Sequence, residues 1–237
     1  MLFDDYPRFL DTSATASNRK RLRLRHRAMF GSNAEIFTGA RVLDIASHDG
    51  RWSMAALQAG AAHATGIEAN PDLLKSAEET FEHYDVPRDT YRFVNDDIFD
   101  VLGDPGGHEI DVDVVMCIGF IYHTLRYQEL FSGVRALNPR HFLVDTAVIL
   151  DDEPMVKLFS EDVSKESSGL DHTFARAGRL VTGRPSVPAL EMLLETHGFT
   201  VVKRFDWQGF LERHHPEAKV VGSYREGRRV TWLCSPS

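Results

Sequence analysis

The chain reads as a doubly wound, Rossmann-like α/β protein with a mostly parallel seven-stranded sheet whose last strand runs antiparallel. Three observations predict this. Between residues 41 and 150 short apolar runs alternate with helical stretches, the pattern of a parallel sheet covered on both faces. The run Val112-Asp113-Val114-Val115-Met116-Cys117-Ile118 is nearly continuous in apolar residues, as a central strand buried on both sides should be. The last two β-rich runs, 199–205 and 229–234, have only a turn-rich segment between them, which predicts an antiparallel pair.

Residues 1–40 form a predicted N-terminal cap, irregular at first and then helical from about Asn18 to Phe30. Asn18 or Ser17 would cap that helix and Gly31 would end it. The first strand, 41–46, leads into a helix through Leu57 that Gly60 terminates. After the second strand, 64–68, Asn70 is a natural N-cap, and Pro71 takes the first helical position, where its missing N–H costs nothing. Residues 91–94, 112–118 and 142–150 are the third to fifth strands. The polar segment 151–186, with Asp151, Asp152, Glu153, Glu161, Asp162 and Glu166, has no clean period and reads as an acceptor-site insert, a lid or a mobile loop. A helix over 188–197 follows, stopped by Gly198.

With 237 residues, 43% hydrophobic, the chain suits one domain over 1–237 and leaves no room for a second. A net charge of −8 argues against nucleic acid as partner, since phosphate contacts need cations in number. The local exception is Arg19, Lys20, Arg21, Arg23, Arg25 and Arg27, either a solvated helix face or an anion-attracting lid. Cys117 and Cys234 suggest neither a disulfide framework nor a zinc site. No apolar stretch approaches the ~20 residues of a membrane span, and the start MLFDDYPRFL carries acids where a secretory leader is basic. The expectation is a cytoplasmic protein without membrane contact, with a homodimer left open.

Chemistry concentrates at the strand ends. Val42-Leu43-Asp44-Ile45-Ala46-Ser47-His48-Asp49-Gly50-Arg51-Trp52 is a strand, a tight polar turn and a helix, and in doubly wound sheets that first turn holds a nucleotide-like ligand. Glu68 closes the next strand, where a carboxylate can accept both ribose hydroxyls. An acid ending an apolar strand needs a partner. A dinucleotide fits poorly: its fingerprint needs three glycines to cradle a pyrophosphate, and this turn supplies only Gly50 while Asp49 would repel phosphate.

These residues resemble class I S-adenosylmethionine-dependent methyltransferases over about residues 40–205. The family's acid and glycine-rich turn match Asp44, Ala46, His48 and Gly50, so only the last glycine is kept. The resemblance implies a cofactor site of Asp44, Ala46, Ser47, His48, Gly50, Trp52, Glu68 and Ala69, with Asp96, Asp97 and Ile98 around the adenine. Cys117 and Ile118 would then flank the methionine moiety. Read on their own, Asp97 favours a helix cap, Asp49 serves equally as a cap, and Trp52 serves as a core residue.

Gly119-Phe120-Ile121-Tyr122-His123 looks like the Tyr-His turn of methyltransferases related to the tRNA wobble-uridine carboxymethyl-transferring enzymes, a likeness that extends to Val144-Asp145-Thr146, Arg184-Pro185-Ser186 and Gly198-Phe199. His123 is the first candidate for a general base, because an unperturbed imidazole titrates near pH ~6.5; a helix-terminus hydrogen bond is its bland alternative. Asp145 could orient it, bind the acceptor or act as base, and Tyr122 would line the pocket. A metal on Asp145 with Asp151, Asp152 or Glu153 is disfavoured, since loop acids are usually solvated.

Tyr6, Arg8, His172, Arg184 and Trp207 are candidate acceptor walls, aromatic faces with polar forks that suit a polyhydroxylated molecule. The pattern, including Tyr6-Pro7-Arg8-Phe9-Leu10-Asp11-Thr12, also resembles small actinobacterial methyltransferases of sugar-modifying type. That resemblance implies O-methylation of a saccharide, such as a mannoside precursor of a methylated polysaccharide. The alternatives are tRNA methylation using the basic helix and a non-catalytic nucleoside-binding module.

Overall fold

The computed structural model describes residues 2–11, 18–165, 173–215 and 219–237. At the N-terminus α1 (Leu2–Asp5) leads to α2 (Arg19–His26), which Asn18 caps by accepting from the Arg21 amide at 3.0 Å. A wider turn over Arg27–Gly31 extends α2 to the predicted stop. Then β1 (Arg41–Ile45), α3 (Arg51–Gln58), β2 (His63–Ile67), α4 (Pro71–His83), β3 (Tyr91–Val94), α5 (Ile98–Gly103), β4 (Val114–Ile118), α6 (Tyr127–Ala136) and β5 (His141–Ala147) alternate as expected. Asn70 caps α4, with Pro71 at its first position.

The insert holds the largest departure from the sequence reading. It contains an antiparallel hairpin of β6 (Val156–Asp162) and β7 (Arg179–Pro185), paired in register from Val156↔Pro185 to Asp162↔Arg179. Its strands carry Lys157, Ser160, Glu161, Arg179 and Arg184 among apolar neighbours, so no apolar period betrays them. Next come α7 (Val187–Thr196), capped by Ser186, and β8 (Phe199–Arg204). The segment before β9 (Arg229–Pro236) is also richer than expected, containing α8 (Trp207–His214) and α9 (Gly222–Arg225). Asp206 caps α8, and Trp207, Phe210 and Leu211 at i, i+3 and i+4 pack on Leu24 and Ala28.

The seven-stranded sheet has the order β3-β2-β1-β4-β5-β9-β8, with β9 antiparallel to both neighbours and the remaining pairs parallel. Side chains alternate across it. Leu43, Ile45, Val115, Cys117, Phe142 and Val144 face α5, α6 and α7. Val42, Val114, Met116 and Leu143 face α3 and the cap, where Trp52, Phe30, Phe3 and Leu22 are buried. Because every parallel strand ends at one edge, the turns after β1, β2, β3 and β4 meet there, which places the site.

Candidate active site

The turn after β1 adopts a left-handed backbone at alternate positions: φ is 53° at Ala46, 57° at His48 and 76° at Gly50. These are the three places where the resembled family carries glycine. Ala46 and His48 hold the turn's shape despite their side chains, at about 1–3 kcal/mol of strain each. Gly50 admits no substitute, because a Cβ there would lie 2.8 Å from Phe93 Cζ and 3.0 Å from Phe81 Cε2.

Glu68, 9% exposed, accepts from the His48 amide through Oε2 and from the Asn70 amide through Oε1, both at 2.9 Å. Burial pushes its carboxyl above the usual range despite these donors. The side chain thus ties the first turn to the second. Asn95 donates to the carbonyls of Glu68 and Ala69, joining the third turn. Asp44, buried at the end of β1, accepts from Ser53 Oγ at 2.7 Å, and burial raises it to about 7. Asp49 is enclosed with Arg51; burial alone would raise it, but the Arg51 guanidinium and His48 outweigh that and hold it low. Asp49 therefore anchors the start of α3 through Arg51.

The residues fit S-adenosylmethionine, the cofactor that this fold implies. Ser47 Oγ is buried with no hydrogen-bond partner among the described residues, a polar group left over in the turn. A Cβ on Gly66 would meet Phe93 at 2.7 Å and Ser47 Oγ at 2.8 Å, so the second strand also needs its glycine. The acids Glu68, Asp96 and Asp97 suit hydroxyl and amino donors and disfavour phosphate. Asp96 accepts from the Asp97 amide at 2.8 Å, and Asp97 caps α5 through the Phe99 amide at 2.8 Å, with Ile98 buried beside them.

Three residues expected in this region have side chains packed in the cores. Trp52 is 5% exposed and supports the cap, with Phe30 at 5.9 Å, Phe3 at 5.8 Å and the Arg25 guanidinium 5.0 Å above it. Cys117 and Ile118 are buried on opposite faces of β4, so their side chains belong to the two cores. The chain emerges from the sheet at Gly119, with φ 93°.

Beyond Gly119 the single turn Ile121–His123 presents Tyr122 and His123, ring centroids 4.1 Å apart. His123 Nδ1 lies 2.8 Å from Glu161 Oε2, and both side chains are 15% exposed. Glu161 comes from β6 of the hairpin. The hairpin is held over the turn by the Gly183 amide donating to the Thr124 carbonyl at 3.2 Å and the Tyr127 hydroxyl donating to the Gly183 carbonyl at 2.7 Å. Sequence reasoning counted Glu161 only among the polar residues of the insert; nothing local marks it, since the pairing exists only once the hairpin folds back.

Asp145 takes none of the roles expected of it. It is fully buried on the cap side of β5 and accepts from Arg25 Nη2 at 2.9 Å, Arg229 Nε at 2.8 Å, the Tyr224 hydroxyl at 2.9 Å and Thr231 Oγ1 at 2.6 Å. Burial alone would raise its carboxyl; Arg229 and Arg25 outweigh it and hold Asp145 at about 2. A carboxylate so held is an anchor, and a poor proton acceptor. Arg229, which the sequence reading missed, links the anchor to the site through the Tyr122 hydroxyl at 3.4 Å.

The remaining predicted wall residues separate. Arg184 lies over the rings of Tyr122 and Phe159, at 5.7 and 4.4 Å. Trp207 is 4% exposed and donates to Thr231 Oγ1 at 2.9 Å, so it is core. Tyr6 stacks edge-on to Tyr84 and Arg8 bonds Tyr84, Thr80 and Glu79, all near the C-terminal end of α4. That helix starts at the site and its 13 residues carry it ~20 Å away. Tyr6 also lines a cavity of about 220 Å³ beside Gln58, the last residue of α3. His172 lies outside the described residues. The basic helix buries Leu22, Leu24 and Arg25, the last against Asp145, while Arg23 pairs with Asp4 and Arg19, Lys20 and Arg27 are exposed. Among the described residues no group of three or more His, Cys, Asp or Glu is placed to hold a metal, and no helix is long and apolar enough to cross a membrane.

This sheet order, with a glycine-shaped first turn and an acid on the second strand, is the class I S-adenosylmethionine-dependent methyltransferase fold. Residues 42–139 match the family described as methyltransferase domain. It is similar to a Methanocaldococcus jannaschii protein provisionally named a ribosomal RNA large subunit methyltransferase, 30% identical over 105 residues; the match covers 44% of this chain and 27% of that protein. The chain is thus similar to only about a quarter of that relative's length. Among solved structures it resembles the N-terminal domain of EvdMO1 with S-adenosylhomocysteine bound, at TM-score 0.59 and 17% identity over 90% of this chain and 79% of that one. The same domain has been solved in the presence of S-adenosylhomocysteine and D-fucose. Magnesium protoporphyrin IX methyltransferase of Synechocystis PCC 6803, with S-adenosylmethionine bound, matches at TM-score 0.58 and 13% identity over 99% and 91% of the two chains.

Proposed function

We propose that the chain transfers a methyl group from S-adenosylmethionine to a hydroxyl of a small polar acceptor, a saccharide destined for a methylated polysaccharide. The carrying observation is the His123–Glu161 pair on the turn after β4, roofed by the hairpin. When bound, the cofactor supplies an electrophilic methyl group on a sulfonium. The protein then has to align an oxygen with it, worth ~7–11 kcal/mol, and remove that oxygen's proton, worth ~10²–10⁴-fold. With Glu161 accepting from Nδ1–H, the neutral imidazole keeps its acceptor lone pair at Nε2. His123 would take the acceptor's proton there as the O–C bond forms and the methyl–sulfur bond breaks, with S-adenosylhomocysteine as leaving group, and Glu161 would stabilise the resulting imidazolium. Tyr122, Phe159 and Arg184 offer aromatic faces and a polar fork against a ring of hydroxyls. The D-fucose of the EvdMO1 structure is consistent with a sugar acceptor on this fold.

Purified protein given radiolabelled methyl donor and a panel of saccharides, RNA and protein should label a saccharide. Label found only in RNA or protein would remove this reading. RNA is the second reading, favoured by the Methanocaldococcus jannaschii relatives. It predicts RNA binding that falls steeply with salt. Against it stand the acidic net charge and a basic helix whose Arg25 is spent on Asp145.

A further inference from the structure

Strand alternation puts Lys157, Phe159 and Glu161 of β6 on one face of the hairpin, opposite Arg184, Thr182 and Leu180 of β7 in register. This is the face that reaches His123 through Glu161 and Tyr122 through Arg184. Two cations, Lys157 and Arg184, stand directly across from each other on it, an arrangement that destabilises a sheet unless something compensates. Both lie against one ring: the Arg184 guanidinium carbon is 4.4 Å and Lys157 Nζ 5.8 Å from the Phe159 centroid. Neither has a carboxylate partner among the described residues. The one acid on the same face, Glu161, is engaged by His123.

We propose that Lys157 and Arg184 form an anion fork, and that the acceptor is a saccharide carrying a phosphate or carboxylate group beside the hydroxyl that is methylated. The proposal rests on the saccharide O-methyltransferase reading above and narrows its substrate class. Arg184 supplies a planar, two-pronged donor suited to either anion, Lys157 a mobile point charge. The Phe159 ring lies against both. The Tyr122 ring lies 5.7 Å from the Arg184 guanidinium carbon and 4.1 Å from the His123 ring, so the fork and the imidazole flank one aromatic ring.

The test uses the full chain, radiolabelled methyl donor, and matched acceptors: neutral hexoses and oligosaccharides, hexuronates, hexose phosphates and nucleotide-linked hexoses. Anion-bearing acceptors should be labelled in strong preference to their neutral counterparts, and the uronate and phosphate arms identify which anion is used. Arg184→Gln and Lys157→Gln should each raise KM for the preferred acceptor by about tenfold or more, with kcat and S-adenosylhomocysteine affinity held, and Arg184→Lys should recover part of the loss. Equal labelling of neutral acceptors, or an unchanged KM in Arg184→Gln, would overturn the fork and leave the saccharide reading intact. Absence of label in every saccharide arm would defeat that reading first and the fork with it.

Discussion

Nδ1 of His123 and Oε2 of Glu161 meet at 2.8 Å across 38 residues of chain, one from the turn after β4 and the other from the inserted hairpin. On the proposed function, the pair makes the hairpin part of the chemistry. Removing the imidazole should cost more than removing its orienting partner. For His123→Ala we expect kcat to fall by ~10²–10⁴-fold, with S-adenosylhomocysteine affinity unchanged. Glu161→Gln keeps the hydrogen-bond acceptor and loses the charge that holds the imidazolium, so it should lose a smaller part of that rate at unchanged KM. Methyl incorporation and titration calorimetry check both; wild-type turnover in His123→Ala would remove the base.

Asp145 should matter to folding more than to turnover. Asp145→Ala would leave Arg25 and Arg229 buried without their shared carboxylate, and we expect about 3–5 kcal/mol of lost stability in urea titration. The pH dependence follows from the sign of its shift. Its folded value of about 2 lies below the ordinary ~3.9 of the unfolded chain. Its stabilisation is therefore complete above about pH 4 and is lost as pH falls toward 2.

Asp145 also shows where the sequence stops speaking. The fold was legible because strand–helix alternation, the Asn70-Pro71 cap and the apolar run before Ile118 are local signals. The left-handed turn after β1 was legible because its residues lie within one strand–turn–helix unit. Asp145 was given a role at the catalytic end through the likeness of Val144-Asp145-Thr146; that Arg25 and Arg229, 120 and 84 residues away, close over it is tertiary information. Trp207 was misread for the same reason, since α8 gains its stability from packing on α2. Glu161 went unassigned because the register of an exposed hairpin leaves little apolar trace.

Asp44 should titrate with the opposite sign to Asp145. Burial raises it to about 7 in the folded chain, so the folded state holds a proton between about pH 4 and 7 that the unfolded state releases. Its contribution to stability therefore falls as pH rises through that window. Asp44→Asn, which can still accept from Ser53, should melt higher than wild type at pH 8, and the difference should vanish near pH 4. A thermal melt series across pH measures this, and parallel curves for the two proteins would contradict it.

Gly50 and Glu68 separate the shape of the cofactor turn from its chemistry. Gly50→Ala places a Cβ 2.8 Å from Phe93 at a φ of 76°, so the turn or the β3 aromatics must move. We expect about 1–3 kcal/mol of lost stability together with lost uptake of S-adenosylhomocysteine. Glu68→Ala removes the acceptor shared by the His48 and Asn70 amides and the carboxylate for a ribose, so uptake should drop by about 100-fold or more. Fold loss and binding loss are then distinguishable. Calorimetry on Glu68→Asp, which keeps the charge on a shorter stem, should recover part of the affinity, whereas Glu68→Gln should recover little if the charge carries the binding. Undiminished uptake in Glu68→Ala would mean that the nucleoside sits elsewhere and that the turn after β1 only joins a strand to a helix.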